Sequence, residues 1–348
     1  MIFMDYLQIL EDLIKIKTDN KIGVRKAFKY LSNFFNNLGI NNKVVEGCFV
    51  AYKDNVENFD VILNSHIDTV KVQLDFKKDD KYFYGTGVID AKANVILMIH
   101  AFLNSDKSLL VISPDEETES NGIYNFCQYL KRKIKNKKII GIVSEPTDLK
   151  VCIGHKGRFE YVVESFGKSM HASSVNNCIN PIEILSKIIL DLKNIPLKKI
   201  KVDKIYSSTI TPTMIKGGIQ SNIVPDYAYV LFDVRSVEED IINKISNFLD
   251  NKEYSKYIKN RLNLGRHYAD FYMLKNKELI DKLSKYYEIS FFNATCEAYY
   301  INKFLNADVV IYGVGKLEYA HSKNEFLNLN DFDKGIKNIE KLVELIKE

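Results

Sequence analysis

Apolar and polar positions alternate along the chain in two textures. Up to about Gly157, short apolar runs such as Val61–Leu63, Leu109–Ile112 and Ile139–Val143 are separated by stretches whose apolar residues recur at helical spacing. The short runs are those of strands buried on both faces, and the longer stretches are those of helices covering them. The pattern predicts helices near 4–17 and 23–38, strand-like stretches at 43–53 and 59–66, a helix at 91–104, a strand from Leu109 to Ile112, a helix at 119–135 and a strand from Ile139 to Val143. Beyond Gly157 the texture changes. Residues 158–167 alternate as a half-exposed strand, 179–194 read as a helix, 206–216 and 226–235 as strands, 237–250 as a helix and 255–265 as a last strand. Strand-helix-strand-strand-helix-strand is the order of a compact α+β module. Helices at 276–286 and 330–347 and the strand Val309–Tyr312 then resume the first texture. The fold class expected is α/β, a central mixed sheet flanked by helices and interrupted by a smaller ferredoxin-like α+β insert. The domains would be 1–157 with 269–348, and 158–268 between them.

Composition narrows the class. With 348 residues, 46% hydrophobic and 27% charged, the chain reads as a globular protein with ample core. A net charge of +4 is slight for this size and argues against nucleic-acid binding, while suiting a small anionic substrate. Cys48, Cys127, Cys152, Cys178 and Cys296 are scattered without Cys-x-x-Cys spacing, which speaks against a thiolate zinc site and for a reducing compartment. The first 17 residues carry Asp5, Glu11 and Asp12, so they read as an amphipathic helix and not a secretory signal. No apolar run is long enough for a membrane span. The expectation is a cytoplasmic protein.

Chemistry-bearing residues gather at the ends of strand-like runs. His66 and Asp68 leave the strand that begins at Val61 on the same side, two residues apart, the layout in which a carboxylate orients a metal-binding imidazole. Asp90 follows Gly85-Thr86-Gly87-Val88-Ile89 at the head of a helix, where a carboxylate is favoured and could bridge two cations. Asp115-Glu116-Glu117 follows a buried strand. Three adjacent carboxylates gain from a positive neighbour, and two glutamates can divide metal ligation from proton transfer. Glu145 ends the next buried strand, and His321 follows a Gly313-Val314-Gly315 turn. His66, Asp90, Glu117, Glu145 and His321 together form a nitrogen and oxygen donor set suited to two zinc ions about 3.5–4 Å apart. His100 inside an apolar helix and His267 near the insert's exit read as structural, and His155 stands at the hinge.

The set also resembles a known family. Ser65-His66-Ile67-Asp68-Thr69-Val70, Gly87-Val88-Ile89-Asp90-Ala91-Lys92, Asp115-Glu116-Glu117, Glu145-Pro146-Thr147, His171-Ala172-Ser173, Ser221–Asp226 with Asp233-Val234-Arg235, and Ala320-His321 run in order along nearly the whole chain. They look like the stretches of the di-zinc amidohydrolases that include acetylornithine deacetylase, succinyl-diaminopimelate desuccinylase, the aminoacylases and the glutamate carboxypeptidases. The resemblance implies that His66 and Glu145 hold one Zn2+, Glu117 and His321 the other, with Asp90 bridging and Co2+ as a substitute. It implies Asp68 as the residue orienting His66, Glu116 as general base, a cis peptide at Asp90–Ala91, and His171, Asn222 and Arg235 as substrate contacts. In dimeric relatives the insert pairs with a second subunit, so a homodimer through the lid domain is expected, with His171 serving the partner's site.

Cys296-Glu297-Ala298 and Lys316–Glu325 look nearest to acetylornithine deacetylase. The activity expected is therefore metal-dependent hydrolysis of an N-acyl amino acid in arginine or lysine biosynthesis. The alternatives are the desuccinylase, a hydrolase freeing lysine or ornithine from an amino-group carrier protein, and a dipeptidase. A non-catalytic metal-binding protein is a more distant one. Ala93, Val314, Val175 and Cys178 depart from the family's usual residues.

Overall fold

A computed structural model describes residues 5–134, 137–174, 178–263 and 267–348. Val175, the outer ends of the helices expected at 4–17 and 119–135, and the 264–265 end of the last expected strand lie outside those residues. The chain forms two compact units. One comprises the chain up to His155 with Met273–Phe292 and Cys296–Glu348, and the other comprises Lys156–Tyr272 with Asn293–Thr295.

The first unit is built on a mixed sheet. From one edge it runs Asn41–Val45, Cys48–Tyr52, Ser108–Ser113, Val61–His66, Ile140–Val143, Asp308–Ile311 and Val151–His155, the last also paired in parallel with Ile289–Phe292. Four central strands run parallel, with His66 opposite Ser113, Asn64 opposite Val143, and Val143 opposite Ile311. All four therefore end at the same border of the sheet, where ligand sites of such sheets lie. Val61–His66 and Ser108–Ser113 are buried along their whole length, as strands covered on both faces must be. The helix Ala93–Leu103 is buried from Ala93 to Phe102, which explains its nearly unbroken apolar run. Around it pack amphipathic helices. Lys21–Asn37 is one, capped by the Asn20 side chain on Ile22 and Gly23 N–H; Leu329–Lys347, capped by Asn328, is another.

The stretch read as one strand at 43–53 is a hairpin. Glu46 (φ 49°) and Gly47 (φ 91°) turn the chain between Asn41–Val45 and Cys48–Tyr52, a left-handed step that Gly47 makes easy. The helix Ala298–Leu305 and the strands Val151–His155 and Ile289–Phe292 were not anticipated, because short elements leave too few periods to register.

The second unit holds an antiparallel sheet in the order Thr209–Gly217, Tyr227–Ser236, Gly157–Phe166, Ile258–Leu262. Helices Pro181–Leu192 and Ile241–Asp250 contribute Leu185, Ile188, Ile245 and Leu249 to a core with Tyr161, Val163, Val230 and Phe232 from the sheet. This is the ferredoxin-like arrangement expected of the insert. A small hairpin, Lys199–Lys201 with Ile205–Ser207, is added to it. No described helix is long and apolar enough to cross a membrane.

Candidate metal centre

The parallel strand ends bring the expected residues of the first unit together. His66 closes its strand with an imidazole that is 1% exposed. Its Nδ1 lies 3.0 Å from the Asp68 backbone oxygen and 3.3 Å from Asp68 Oδ1. A carbonyl only accepts, so Nδ1 carries the proton and Nε2 is left to face Asp90 Oδ1, 3.1 Å away. The Asp68 carboxylate also accepts from Glu116 N at 3.1 Å and Glu117 N at 3.0 Å. One side chain thus fixes both the imidazole and the acidic turn that leaves the neighbouring strand.

Asp90 lies in a turn built from close approaches. The Asp90–Ala91 peptide is cis. The buried Glu325 carboxylate accepts from Gly87 N (3.0 Å), Ile89 N (3.0 Å) and Asp90 N (3.3 Å), holding the turn from behind. Asn94, on the buried helix, ties three segments at once. Its Nδ2 donates to Ile89 O (2.7 Å) and Val314 O (3.1 Å), while its Oδ1 accepts from Val314 N (2.9 Å) and Ser144 Oγ (3.1 Å). Those segments carry Asp90, Glu145 and the loop toward His321. A Cβ at Gly313 would meet Asn94 Oδ1 at 2.1 Å, so only glycine allows this approach. Lys92, fully buried, donates to Ile16 O at 2.8 Å, and burial pulls its pKa down to about 7.

Two overlapping triads result. His66, Asp90 and Glu145 offer ligand atoms within 4.8 Å of one another, and so do Asp90, Glu117 and His321. Asp90 belongs to both. Its Oδ1 faces His66 and its Oδ2 lies 3.2 Å from His321 Nε2, which is 2.6 Å from Glu117 Oε1. A third group, His66 with Glu116 and Glu117, satisfies the same distance limit. Imidazole nitrogen and carboxylate oxygen, without thiolate, fit divalent zinc or a similar cation.

The electrostatics follow from the crowding and burial of these groups. Burial raises the carboxyls of Glu116 and Glu145 well above the usual range, and that of Glu117 less far, with Asp90 adding to the last. Hydrogen bonds to Asp90 and Glu117 push His321 up to about 11. Burial opposes the charge on His66, but hydrogen bonds to Asp68 and Asp90 leave it raised well above 6.5. Burial likewise opposes the charge on Asp90, yet His321 and His66 hold its carboxyl below the usual range. All these shifts but that of Asp90 favour the proton-bound form, the direction expected where crowded carboxyls gain from positive charge.

The other expected residues lie in the second unit. His171 pairs across two short strands with Ile223, and Ala172 N donates to Asn222 O at 2.9 Å, so His171 and Asn222 are neighbours. The exposed His171 ring lies 2.8 Å from Ser173 Oγ. Arg235, half-buried, makes its contact on Asp233, with Nε 2.7 Å from Oδ1. His100 is held between Tyr6 OH (2.8 Å) and Glu340 Oε1 (2.7 Å), and His155 Nε2 accepts from Tyr299 N at 3.2 Å. The roles of Asn94 and Glu325 are not readable from sequence. An asparagine in an apolar helix and a glutamate in a loop have no local signal, although the polar interruption of so apolar a helix marks Asn94 as a residue needing partners.

The family model described as peptidase family M20/M25/M40 matches residues 62–345. An uncharacterized metallohydrolase of Methanocaldococcus jannaschii is 76% identical over 349 residues, the alignment covering 100% of each chain. Acetylornithine deacetylase of Buchnera aphidicola is 25% identical over 365 residues, covering 92% of this chain and 93% of its own. Among solved structures, a tripeptidase of Staphylococcus aureus superposes with a TM-score of 0.76 at 20% identity, over 99% of this chain and 98% of that one, and so shares the fold. With strand-end donors grouped for divalent cations and a family match spanning most of its length, the chain belongs to the M20/M25/M40 peptidase family and is a metallohydrolase.

Proposed function

We propose that the protein hydrolyses the amide bond of an N-acyl amino acid, with acetylornithine-like substrates first, using two divalent cations. The observation that carries this reading is the pair of triads sharing Asp90, with Glu116 beside them. His66 and Glu145 would hold one cation, Glu117 and His321 the other, and Asp90 both. Bound there, the cations would supply Lewis acidity, lowering the pKa of water and polarising the acyl oxygen.

Glu116 supplies the proton transfers. Its carboxylate has no hydrogen bond or ion pair among the described residues, and burial raises it well above the ordinary carboxyl value, the direction that suits a group that gives a proton back as well as taking one. It accepts a proton from the attacking water and hands it to the departing amine nitrogen, so that the amide C–N bond breaks to a carboxylate and an amine. Asp68 holds His66 and the Glu116–Glu117 backbone still during both transfers. His171 and Asn222 are assigned to the acyl oxygen and the substrate backbone. Arg235, whose planar fork already binds the Asp233 carboxylate, is assigned to the substrate's carboxylate.

A homodimer through the second unit is part of the reading. Thr209–Gly217 is an edge strand exposed over most of its length, with Met214 47% and Ile215 53% exposed. An uncovered apolar edge is one that a second copy would pair. The test of the function is a turnover screen of acetyl-ornithine, succinyl-diaminopimelate and dipeptides, with Zn2+ or Co2+ restored to stripped protein. Release of ornithine from acetyl-ornithine above the other substrates supports the reading, and turnover of dipeptides alone defeats it.

A further inference from the structure

Glu297 opens the helix Ala298–Leu305 in the first unit and is 1% exposed. Its Oε2 accepts from Asn64 Nδ2 at 2.9 Å and lies 2.8 Å from Ser113 Oγ. Asn64 stands two residues before His66. Ser113 is the register partner of His66 on the neighbouring parallel strand, and the turn to Glu116 and Glu117 follows it. We propose that Glu297 is a positioning residue whose carboxyl group clamps these two strand ends together, setting the separation of His66 from the Glu116–Glu117 pair. The inference rests on the metal-hydrolase reading and extends it to a side chain that touches neither substrate nor cation.

The directions of the hydrogen bonds support a clamp. Asn64 Nδ2 also lies 3.3 Å from Val111 O, and a carbonyl only accepts, so the amide must present its N–H₂ to Glu297. Ser113 Oγ has a second acceptor, Ser65 O, at 3.4 Å. With Glu297 ionised, the hydroxyl donates to Oε2. With Glu297 protonated, the hydroxyl accepts from Oε2 and turns its own proton to Ser65 O. The clamp closes either way, and in both cases it bears on strand residues next to His66.

The surroundings favour the neutral acid. Glu297 Oε1 is buried without a partner among the described residues. Facing the group are His66 on its strand, and Asp115 and Glu116 on the acidic turn. Glu145 lies beyond the next strand, and the thiols of Cys48, Cys127 and Cys296 are held protonated by burial. Of these only His66 can carry positive charge, and burial pushes Glu297 up to about 8. A neutral Glu297 also adds no negative charge next to Glu116. A hydrocarbon side chain of similar size would fill the space without leaving an orphaned oxygen. What the carboxyl contributes is directional hold on Asn64 and Ser113.

The test uses full-length protein stripped of metal, with Glu297→Gln, Glu297→Leu and Ser113→Ala. Folding is checked by circular dichroism and melting, and Co2+ is titrated by absorption and calorimetry. Glu297→Gln, an isostere of the neutral acid, should bind Co2+ within about threefold of wild type. Glu297→Leu should still fold, melting somewhat lower because Asn64 Nδ2 and Ser113 Oγ keep only their longer acceptors, and should bind about 10–100-fold more weakly, the range for residues that orient metal ligands, with kcat falling and KM little changed. Ser113→Ala removes one arm without touching Glu297 and should weaken binding in the same direction, which keeps the test open if the leucine variant does not fold. Wild-type affinity and kcat in the folded leucine variant, or a glutamine variant as impaired as the leucine one, would overturn the clamp alone. Wild-type protein that takes up no Co2+ would sink the hydrolase reading together with it.

Discussion

Replacing Glu116 by Gln separates proton transfer from metal binding. The change removes one ionisable oxygen and leaves shape and backbone contacts in place, including the Glu116 N–H bond to Asp68 at 3.1 Å. If Glu116 takes the proton from water and returns it to the amine, one substitution disables two transfers. A positioned acid or base is worth about 10²–10⁴-fold, so the loss in kcat is set at about 10³–10⁴-fold, or roughly 4–5.5 kcal/mol of barrier. KM should change little, because the side chain has no partner to lose. The geometry offers a competing role, since His66, Glu116 and Glu117 also lie within ligand distance of one another. A ligand glutamate would lower metal content along with kcat. Steady-state kinetics paired with metal-to-protein ratios after gel filtration decide between the two. A kcat within tenfold of wild type refutes the base, and loss of one metal per chain in parallel with kcat makes Glu116 a ligand instead.

Other consequences can be checked on the same material. Asn94→Ala orphans Ile89 O, Val314 N, Val314 O and Ser144 Oγ, all buried, and should cost roughly 3–5 kcal/mol in urea unfolding of the metal-free protein; a loss below about 1 kcal/mol would contradict the network. Metal-free protein should lose stability toward alkaline pH. His321, raised from 6.5 to about 11, contributes stability that is full below 6.5 and is lost as pH rises through about 11, and the burial-raised Glu117 and Glu145 lose theirs upward from 4.5. Asp90, held below 3.8, gives stability that is lost only on acidification, so the melting temperature should peak in mild acid; a flat profile from pH 6 to 10 speaks against proton-filled triads. Metal loading at pH 7 should release roughly two protons per chain or more, two from the imidazoles and the rest from raised carboxyls, read by calorimetry in buffers of different ionisation enthalpy. Light scattering should give the mass of two chains, and Ile215→Lys on the exposed edge strand should give one; a wild-type monomer with full activity removes the dimer from the proposal.

The legible parts of the fold were those in which burial repeats. Strands covered on both faces leave apolar runs of three or four, and the alternating insert strands leave period two, so the α/β unit and the ferredoxin-like insert both follow from pattern. The hairpin at Glu46–Gly47 and the short strand at Val151–His155 did not, because a two-residue turn and a five-residue strand carry little periodic signal. At the site, the strand-end positions of His66, Glu117 and Glu145 marked themselves through chemistry placed where an apolar run stops. Glu325 and Asn94 hold the same turns through contacts spanning more than two hundred residues of sequence, as in the Asn94–Val314 bond. The polar break in its apolar helix marks Asn94 as needing partners, but nothing local in the chain says which they are.

The surplus of carboxylates gives a reason for the many hydrogen bonds gathered behind the site. Asp68, Asp90, Glu116, Glu117 and Glu145 meet two imidazoles, the buried His66 and the more exposed His321. Mutual repulsion would spread such a set unless cations or protons offset it. The Glu325 hold on three successive backbone N–H groups, the Asn94 network and the Asp68 hold on the acidic turn resist that spreading from the protein side. Preorganisation therefore rests on the Asn94 amide and on backbone N–H groups received by the Asp68 and Glu325 carboxyls, with Glu325 itself raised by burial to about 7. If Glu116 is the base proposed above, its proton affinity is set by burial and by the charges of His66, Glu117, Glu297 and Asp68 around it, so substitutions at those neighbours should shift the pH profile of kcat.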